Sequence, residues 1–142
     1  MALRAWKGQV YAIEKKEDAL ALLKENRRKF ATDNLEIVPG TAPEAMVELP
    51  VPTHAFIGGS SGNMNEVIRL LLEKNPGVRI VINCITLETV TEAMNAIRDF
   101  SLTDVDIVQL SAARSKSIGR YHMMMGENPI YIISCSGRGE EI

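Results

Sequence analysis

Residues Thr53 to Asn65 read T-H-A-F-I-G-G-S-S-G-N-M-N, and this stretch restricts the fold more than any other. A short apolar run (Ala55, Phe56, Ile57) stops at Gly58-Gly59. Two serines and Gly62 follow, and an amphipathic pattern opens near Met64. A buried strand that ends in a glycine-rich loop feeding a helix is how α/β proteins present backbone N–H groups at the carboxyl edge of a sheet, where their ligands sit. A tight strand-to-helix turn without a ligand reads the same way, so the loop by itself leaves both open.

The flanking segments repeat the strand–helix alternation. Gln9 to Ile13 reads as a short buried strand ending at Glu14. Glu17 to Phe30 reads as a helix with Ala19, Leu22, Leu23 and Phe30 on one face and Lys24, Arg27 and Arg28 on the other. Leu35 to Val38 is a second strand closed by Pro39-Gly40, and Thr41 to Glu48 is a loop or one helical turn. Thr53 to Ile57 is a third strand. Met64 to Lys74 is a helix with Val67, Ile68, Leu71 and Leu72 as its stripe, stopped by Asn75-Pro76-Gly77. Arg79 to Ile85 is a fourth strand. Leu87 to Phe100 is a helix capped by Thr86, with Val90, Ala93, Met94 and Ile97 inward. Asp106 to Leu110 and Ile130 to Cys135 are two more strands. The segment between them is too short for a crossover helix, so they pair antiparallel. Strands of this apolar character, alternating with helices, predict an α/β fold with a mostly parallel sheet covered on both faces. A closing antiparallel hairpin on such a sheet is the organisation of the S-adenosylmethionine-dependent methyltransferase-like (Rossmann-like) fold, an analogy of fold alone. At 142 residues the chain is expected to form a single methyltransferase-like domain over 1–142.

Composition narrows the partners. The formal net charge of −2 predicts no nucleic-acid footprint. No apolar run reaches the ~20 residues of a membrane helix. The opening M-A-L-R-A-W-K-G lacks the apolar stretch of a signal peptide. Cys84 and Cys135 each sit inside an apolar run and read as buried small hydrophobes. These features predict a cytoplasmic protein. No metal-ligand spacing, nucleophile elbow or P-loop is present in the sequence.

In the methyltransferase-like fold a carboxylate after the second strand accepts hydrogen bonds from a ribose diol, because an ionised carboxylate offers two acceptors to two donors. Glu14 stands in that place, although an acid at a helix start also answers to the helix dipole. The loop Pro39-Gly40-Thr41-Ala42-Pro43 combines rigidity with small residues and lets a flat ligand approach its backbone; a plain turn is the alternative. Gly58, Gly59 and Ser60 would border the reacting group. Asn83, near the end of its strand, either reaches the same cleft or makes a structural hydrogen bond. His54 lies at the amino edge and reads as structural. The segment from Ser111 to Asn128 holds Arg114, Lys116, Arg120, His122 and three consecutive methionines. It reads either as a basic apolar flap suited to a carboxylate-bearing substrate or as a solvated hairpin or subunit contact.

Four motifs occur in order: V-Y-A-I-E (Val10 to Glu14), P-G-T-A-P-E (Pro39 to Glu44), F-I-G-G-S-S-G (Phe56 to Gly62) and V-I-N-C-I-T-L-E-T (Val81 to Thr89). Together they resemble the precorrin C5,15-methyltransferase (decarboxylating) family, and most closely its C15-methylating, decarboxylating domain. The likeness runs from Lys7 to about Cys135. It implies methyl transfer from S-adenosylmethionine to C15 of a precorrin macrocycle, with loss of carbon dioxide from the C12 acetate, in cobalamin biosynthesis. It also implies a homo-oligomer, a tetramer in many members. Glu14 would bind ribose, Thr41 and Ala42 would line adenine, and Gly58, Gly59 and Ser60 would border the transfer site. Asn83 and Arg114 would contact substrate. One departure stands out: the family's first strand and its glycine loop are missing before Lys7, which leaves a gap between the strands that would flank it. Val10's strand pairing with Ala55's, a strand from a neighbouring chain, or a longer gene product would each fill that gap. Two rival readings remain. One is a non-catalytic binding or assembly remnant that has lost the cofactor; the other is a methyltransferase acting on another small molecule or on RNA.

Overall fold

The computed structural model describes residues 1–59 and 62–139. The chain divides into two compact units, Met1–Pro50 and Val51–Ile142.

The first unit contains β1 (Val10–Glu14), α1 (Glu17–Lys29), β2 (Leu35–Pro39) and a single 3₁₀ turn at Glu44–Met46. β1 and β2 pair in parallel, from Val10 opposite Leu35 to Glu14 opposite Pro39. α1 is the crossover that parallel pairing requires. Its first turn carries Glu17 and Asp18 and its last turn Arg27, Arg28 and Lys29, so both ends oppose the helix dipole with favourable charge. The expected inward face is only partly realised: Ala19 and Leu23 are half-buried, but Leu22 and Phe30 are 59% and 52% exposed. Two strands about 5 Å apart make too narrow a floor for a full helical stripe. The residues before β1 are fastened by Asn34, whose Nδ2 donates to the carbonyl oxygens of Ala2 (3.1 Å), Ala5 (2.8 Å) and Gly8 (3.0 Å).

The second unit contains β3 (His54–Ile57), α2 (Met64–Lys74), β4 (Arg79–Cys84), α3 (Leu87–Asp99), β5 (Thr103–Leu110), β6 (Ala113–Ile118), β7 (Tyr121–Gly126) and β8 (Ile130–Ser136). Its main sheet has the order β3-β4-β8-β5. β3 and β4 are parallel, and β8 is antiparallel to both of its neighbours, so β3, β4 and β5 run in one direction. β5 and β8 are the antiparallel pair expected from the sequence. β1 pairs with β2 and β3 with β4; a ladder between the Val10 and Ala55 strands, one of the three ways to fill the gap, is not among those of the described residues.

The core of this unit lies on one face of the sheet. Ile57, Ile80, Ile82, Cys84, Ile133 and Cys135 are buried together with Met64, Val67, Ile68 and Leu71 of α2 and Ala93 and Ala96 of α3. Both cysteines are thus buried small hydrophobes, and both are free thiols. Met94 was expected inward but is 43% exposed, and Ala96 takes the buried place. On the other face of β4 stand Arg79, Val81 and Asn83, half-buried. Burial on β4 therefore alternates, where cover on both faces was expected. The Arg79 guanidinium explains part of this: it donates to Ser134 Oγ at 2.9 Å and Ser136 Oγ at 3.0 Å across the ladder, a polar arrangement for a face not sealed from water.

Asn75 and Thr86 act as the sequence suggests. Asn75 ends α2, its Oδ1 accepting from the Gly77 N–H at 3.0 Å. Thr86 caps α3 through a bond from the Thr89 N–H at 3.2 Å. The long connection after β5, read as a flap or as a solvated hairpin or subunit contact, forms the β6–β7 hairpin. Ile118 stands opposite Tyr121 around Gly119-Arg120. Gly119 has φ +59°, the positive φ that a type II′ turn places at its first central residue.

Candidate functional site

Parallel strands deliver their carboxyl ends to one edge of a sheet, and the predicted residues collect there in each unit. In the first unit Glu14 closes β1 and Pro39 closes β2 beside it. The Gly40 N–H donates to the Glu14 carbonyl oxygen at 3.0 Å, which brings Thr41 and Ala42 alongside. Gly40 has φ +150°, and a Cβ there would sit 2.9 Å from that of Ala45. The turn therefore requires glycine. Thr41 is exposed and Ala42 half-buried, and the Ala45 N–H closes the loop onto the Thr41 carbonyl at 2.9 Å.

The Glu14 carboxylate is oriented by its own chain. Oε1 accepts from the N–H groups of Lys15 at 2.8 Å and Lys16 at 2.9 Å. These bonds, that of Lys16 first and that of Lys15 next, hold the carboxyl below the usual glutamate range, and the two lysine charges add to the effect. The group stays ionised, and its remaining lone pairs suit a pair of hydroxyl donors. A carboxylate beside a loop of small residues is a donor–acceptor set for a sugar diol next to a flat base.

In the second unit Gly58 and Gly59 follow β3 and are both exposed. A Cβ at Gly59 would meet nothing within 4 Å, so the backbone there is open to an incoming group. Ser60 lies outside the described residues. α2 starts at Met64 without a side-chain cap bond. On the adjacent strand, one residue from its carboxyl end, Asn83 has its Oδ1 buried with no hydrogen-bond partner. A buried unsatisfied acceptor costs about 1–3 kcal/mol. The structural hydrogen bond that was one reading of Asn83 is thus not made through this oxygen, and an acceptor stands ready at the rim. Ile85 and Leu87, 56% and 73% exposed, flank the Thr86 cap at the same rim. Sequence reading took these two only as a strand end and a helix start. Large apolar residues directly after a parallel strand, where burial ends, were the available signal.

Arg114 is placed differently. It lies on β6, and its Nε donates to Glu127 Oε1 at 2.8 Å, with both side chains largely exposed (83% and 50%). The hairpin leaves the carboxyl end of β5, which stands two strands from β4 in the sheet order with β8 between them. His54 begins β3 at the amino edge, 3.1 Å from Thr53 Oγ1. The hollows of the first unit, lined by Lys24, Arg27 and Arg28 and by Trp6, Thr32 and Asn34, lie toward the end of α1 and the start of β2, the edge opposite Glu14. They do not coincide with the predicted residues, and the second is lined by the buried Thr32.

Residues 1–136 match a family described as the precorrin methyltransferase domain. The chain belongs to the precorrin methyltransferase family. It is 37% identical over 127 residues to the Methanothermobacter thermautotrophicus protein named probable cobalt-precorrin-6B C(15)-methyltransferase (decarboxylating), covering 88% of this chain and 66% of that protein. It is 34% identical over 128 residues to the Salmonella typhimurium cobalt-precorrin-6B C(15)-methyltransferase (decarboxylating), covering 89% and 66%. The crystal structure of precorrin-6y C5,15-methyltransferase from Geobacter metallireducens superposes with a TM-score of 0.80 at 32% identity, over 91% of this chain and 68% of that one. This member of the precorrin methyltransferase family therefore has the S-adenosylmethionine-dependent methyltransferase-like, Rossmann-like fold. It spans 66% of the length of each of the two curated relatives, just under two thirds. Among the described residues no helix is long and apolar enough to cross a membrane.

Proposed function

We propose that this chain serves S-adenosylmethionine-dependent methylation of C15 of a precorrin macrocycle, with decarboxylation of the C12 acetate, in cobalamin biosynthesis. The observation that supports it best is the unsatisfied Asn83 Oδ1, buried at the carboxyl rim beside Gly58 and Gly59, in a chain matching precorrin methyltransferases over residues 1–136. S-adenosylmethionine supplies an already activated methyl group, so the protein's task is to position partners and exclude water.

Glu14 takes the ribose hydroxyls, and Thr41 and Ala42 line the adenine. Gly58, Gly59 and Ser60 border the transfer centre with backbone N–H groups. Asn83 accepts a hydrogen bond from the macrocycle, and Arg114 is assigned to a substrate carboxylate only if it leaves Glu127. Residues 1–142 act as one methyltransferase-like domain, with no resident metal and no nucleic-acid partner. The setting is cytoplasmic, and the chain is a homo-oligomer.

Titration calorimetry with S-adenosylhomocysteine tests this reading. Micromolar binding by the 1–142 chain, weakened in Glu14→Gln, supports it. No heat at millimolar ligand would overturn it in favour of a remnant that has lost its cofactor.

A further inference from the structure

The two hollows of the first unit form one trough. They share Ala31 and Asp33, and their volumes, about 640 and 330 Å³, lie in the range of small-molecule sites. One wall belongs to α1. Lys24, Arg27 and Arg28 are spaced i, i+3 and i+4, so their side chains share one helix face. The ion pairs among the described residues are Arg98–Asp99 and Arg114–Glu127, so none of these three cations is neutralised by one. Like charges at this spacing repel, and an anion lying among them relieves the repulsion.

The other wall is aromatic. Trp6 is 75% exposed, with Lys7 Nζ 4.6 Å from its ring centroid. The three bonds of Asn34 to Ala2, Ala5 and Gly8 fasten the chain on both sides of Trp6. A ring presented on a fastened segment is a stacking surface that needs little ordering on binding. Thr32 also lines the smaller hollow and is 8% exposed. Its N–H donates to the Arg27 carbonyl and its carbonyl accepts from the Leu35 N–H, both at 3.1 Å, and no bond of its hydroxyl is among those of the described residues. A buried hydroxyl of this kind calls for a partner, and a ligand in the trough supplies one.

We propose that this trough binds a flat ring system carrying two or more carboxylate or phosphate groups. The ring stacks on the Trp6 indole. The anionic groups take the guanidinium forks of Arg27 and Arg28 and the Lys24 ammonium, and the Thr32 hydroxyl hydrogen-bonds the ligand's polar edge. Asp33, the acid of the lining, repels the anionic groups and keeps them on the α1 wall. A nucleotide and a polycarboxylate macrocycle share this chemistry. The site stands at the edge opposite Glu14 and does not depend on methyl transfer.

Trp6 is the only tryptophan of the 1–142 chain, so its fluorescence reads the trough directly. Adenosine triphosphate and uroporphyrin, a flat macrocycle rimmed by carboxylates, are the probes. At least one is expected to quench Trp6 saturably, with a Kd of about 1–100 µM. Excess S-adenosylhomocysteine should not displace it. Arg27→Gln with Arg28→Gln should weaken it at least tenfold and Thr32→Val about threefold, with circular dichroism unchanged. In the unaltered chain the affinity should fall as salt rises from about 50 to 300 mM, which tests the charges even if the arginine variant fails to fold. The tighter probe names the source of the anion, phosphate or ring carboxylate. No saturable quenching by adenosine triphosphate at about 1 mM or uroporphyrin at about 50 µM would overturn the site. Quenching indifferent to salt and to the arginines would overturn it as well. So would displacement by S-adenosylhomocysteine, because the probe would then occupy the Glu14 edge.

Discussion

The Gly40 N–H and the Glu14 carbonyl oxygen, 3.0 Å apart, join the ends of β1 and β2 so that the small-residue loop cannot move independently of the carboxylate. Gly40 achieves this at φ +150°. Gly40→Ala should therefore destabilise the first unit by about 1–3 kcal/mol, the cost of a side chain in a strained backbone region plus contact with Ala45. Urea unfolding monitored by circular dichroism measures it, and an unchanged midpoint would mean the turn relaxes freely.

Glu14→Gln should leave the fold intact and weaken S-adenosylhomocysteine at least tenfold, since hydrogen bonds to an ionised acceptor are roughly twice as strong as neutral ones. The pH dependence has a definite sign. The Lys16 and Lys15 N–H bonds lower the carboxyl's pKa in the folded chain. It therefore gains its proton at a lower pH than a free glutamate does, and ligand affinity should fall at a correspondingly lower pH. Calorimetry at stepped pH reads this directly; loss of affinity at the ordinary glutamate pKa would contradict it.

Asn83→Leu separates stability from function. Removing a buried acceptor without a partner should leave the chain at least as stable as wild type, while a structural hydrogen bond would make the change costly. Precorrin turnover should nonetheless fall by ten- to a hundredfold, about 1.4–2.8 kcal/mol of lost transition-state contact. A destabilised N83L chain would assign the residue to the scaffold.

Gly137 lies where a Cβ would run into the Pro76 carbonyl oxygen and the Leu72 side chain. Gly137→Ala should cost about 3 kcal/mol or more, because backbone cannot yield as a side-chain tip can. Thermal unfolding of the two chains gives the comparison.

Cys84 and Cys135 have thiols pushed up by burial; the charge of Glu92 adds to the first, while Arg79 partly offsets the second. Alkylation at pH 8 should be roughly a hundredfold slower in the folded chain than in urea. Equal rates would mean the β4–β8 ladder opens readily.

The alternation of strands and helices was legible because local pattern decides it. α2 from Met64 to Lys74 matches its expected span, and Arg79 to Cys84 differs from expectation by one residue. Glu14 closes β1, and Thr41 and Ala42 stand two and three residues past Pro39, the end of β2, so strand ends mark all three in the sequence. The strand bounds of the β6–β7 hairpin were not legible, because S-K-S-I-G-R-Y-H-M-M alternates poorly and both its faces are wet, so no burial pattern marks them. The two-residue Gly119-Arg120 turn was the usable cue. Arg114 shows a related limit: a basic residue in a sequence does not announce its pairing with Glu127, thirteen positions on. The exposed Leu22 and Phe30 show the same limit, since a helical stripe does not reveal how wide its floor is.

The position of β8 has a consequence for synthesis. β8, last of these strands in chain order, lies inside the sheet between β4 and β5. A nascent chain ending before Ile130 therefore holds β3–β4 and β5 as separate pieces. The second unit acquires its cooperative fold only once Ile130 to Ser136 have been made.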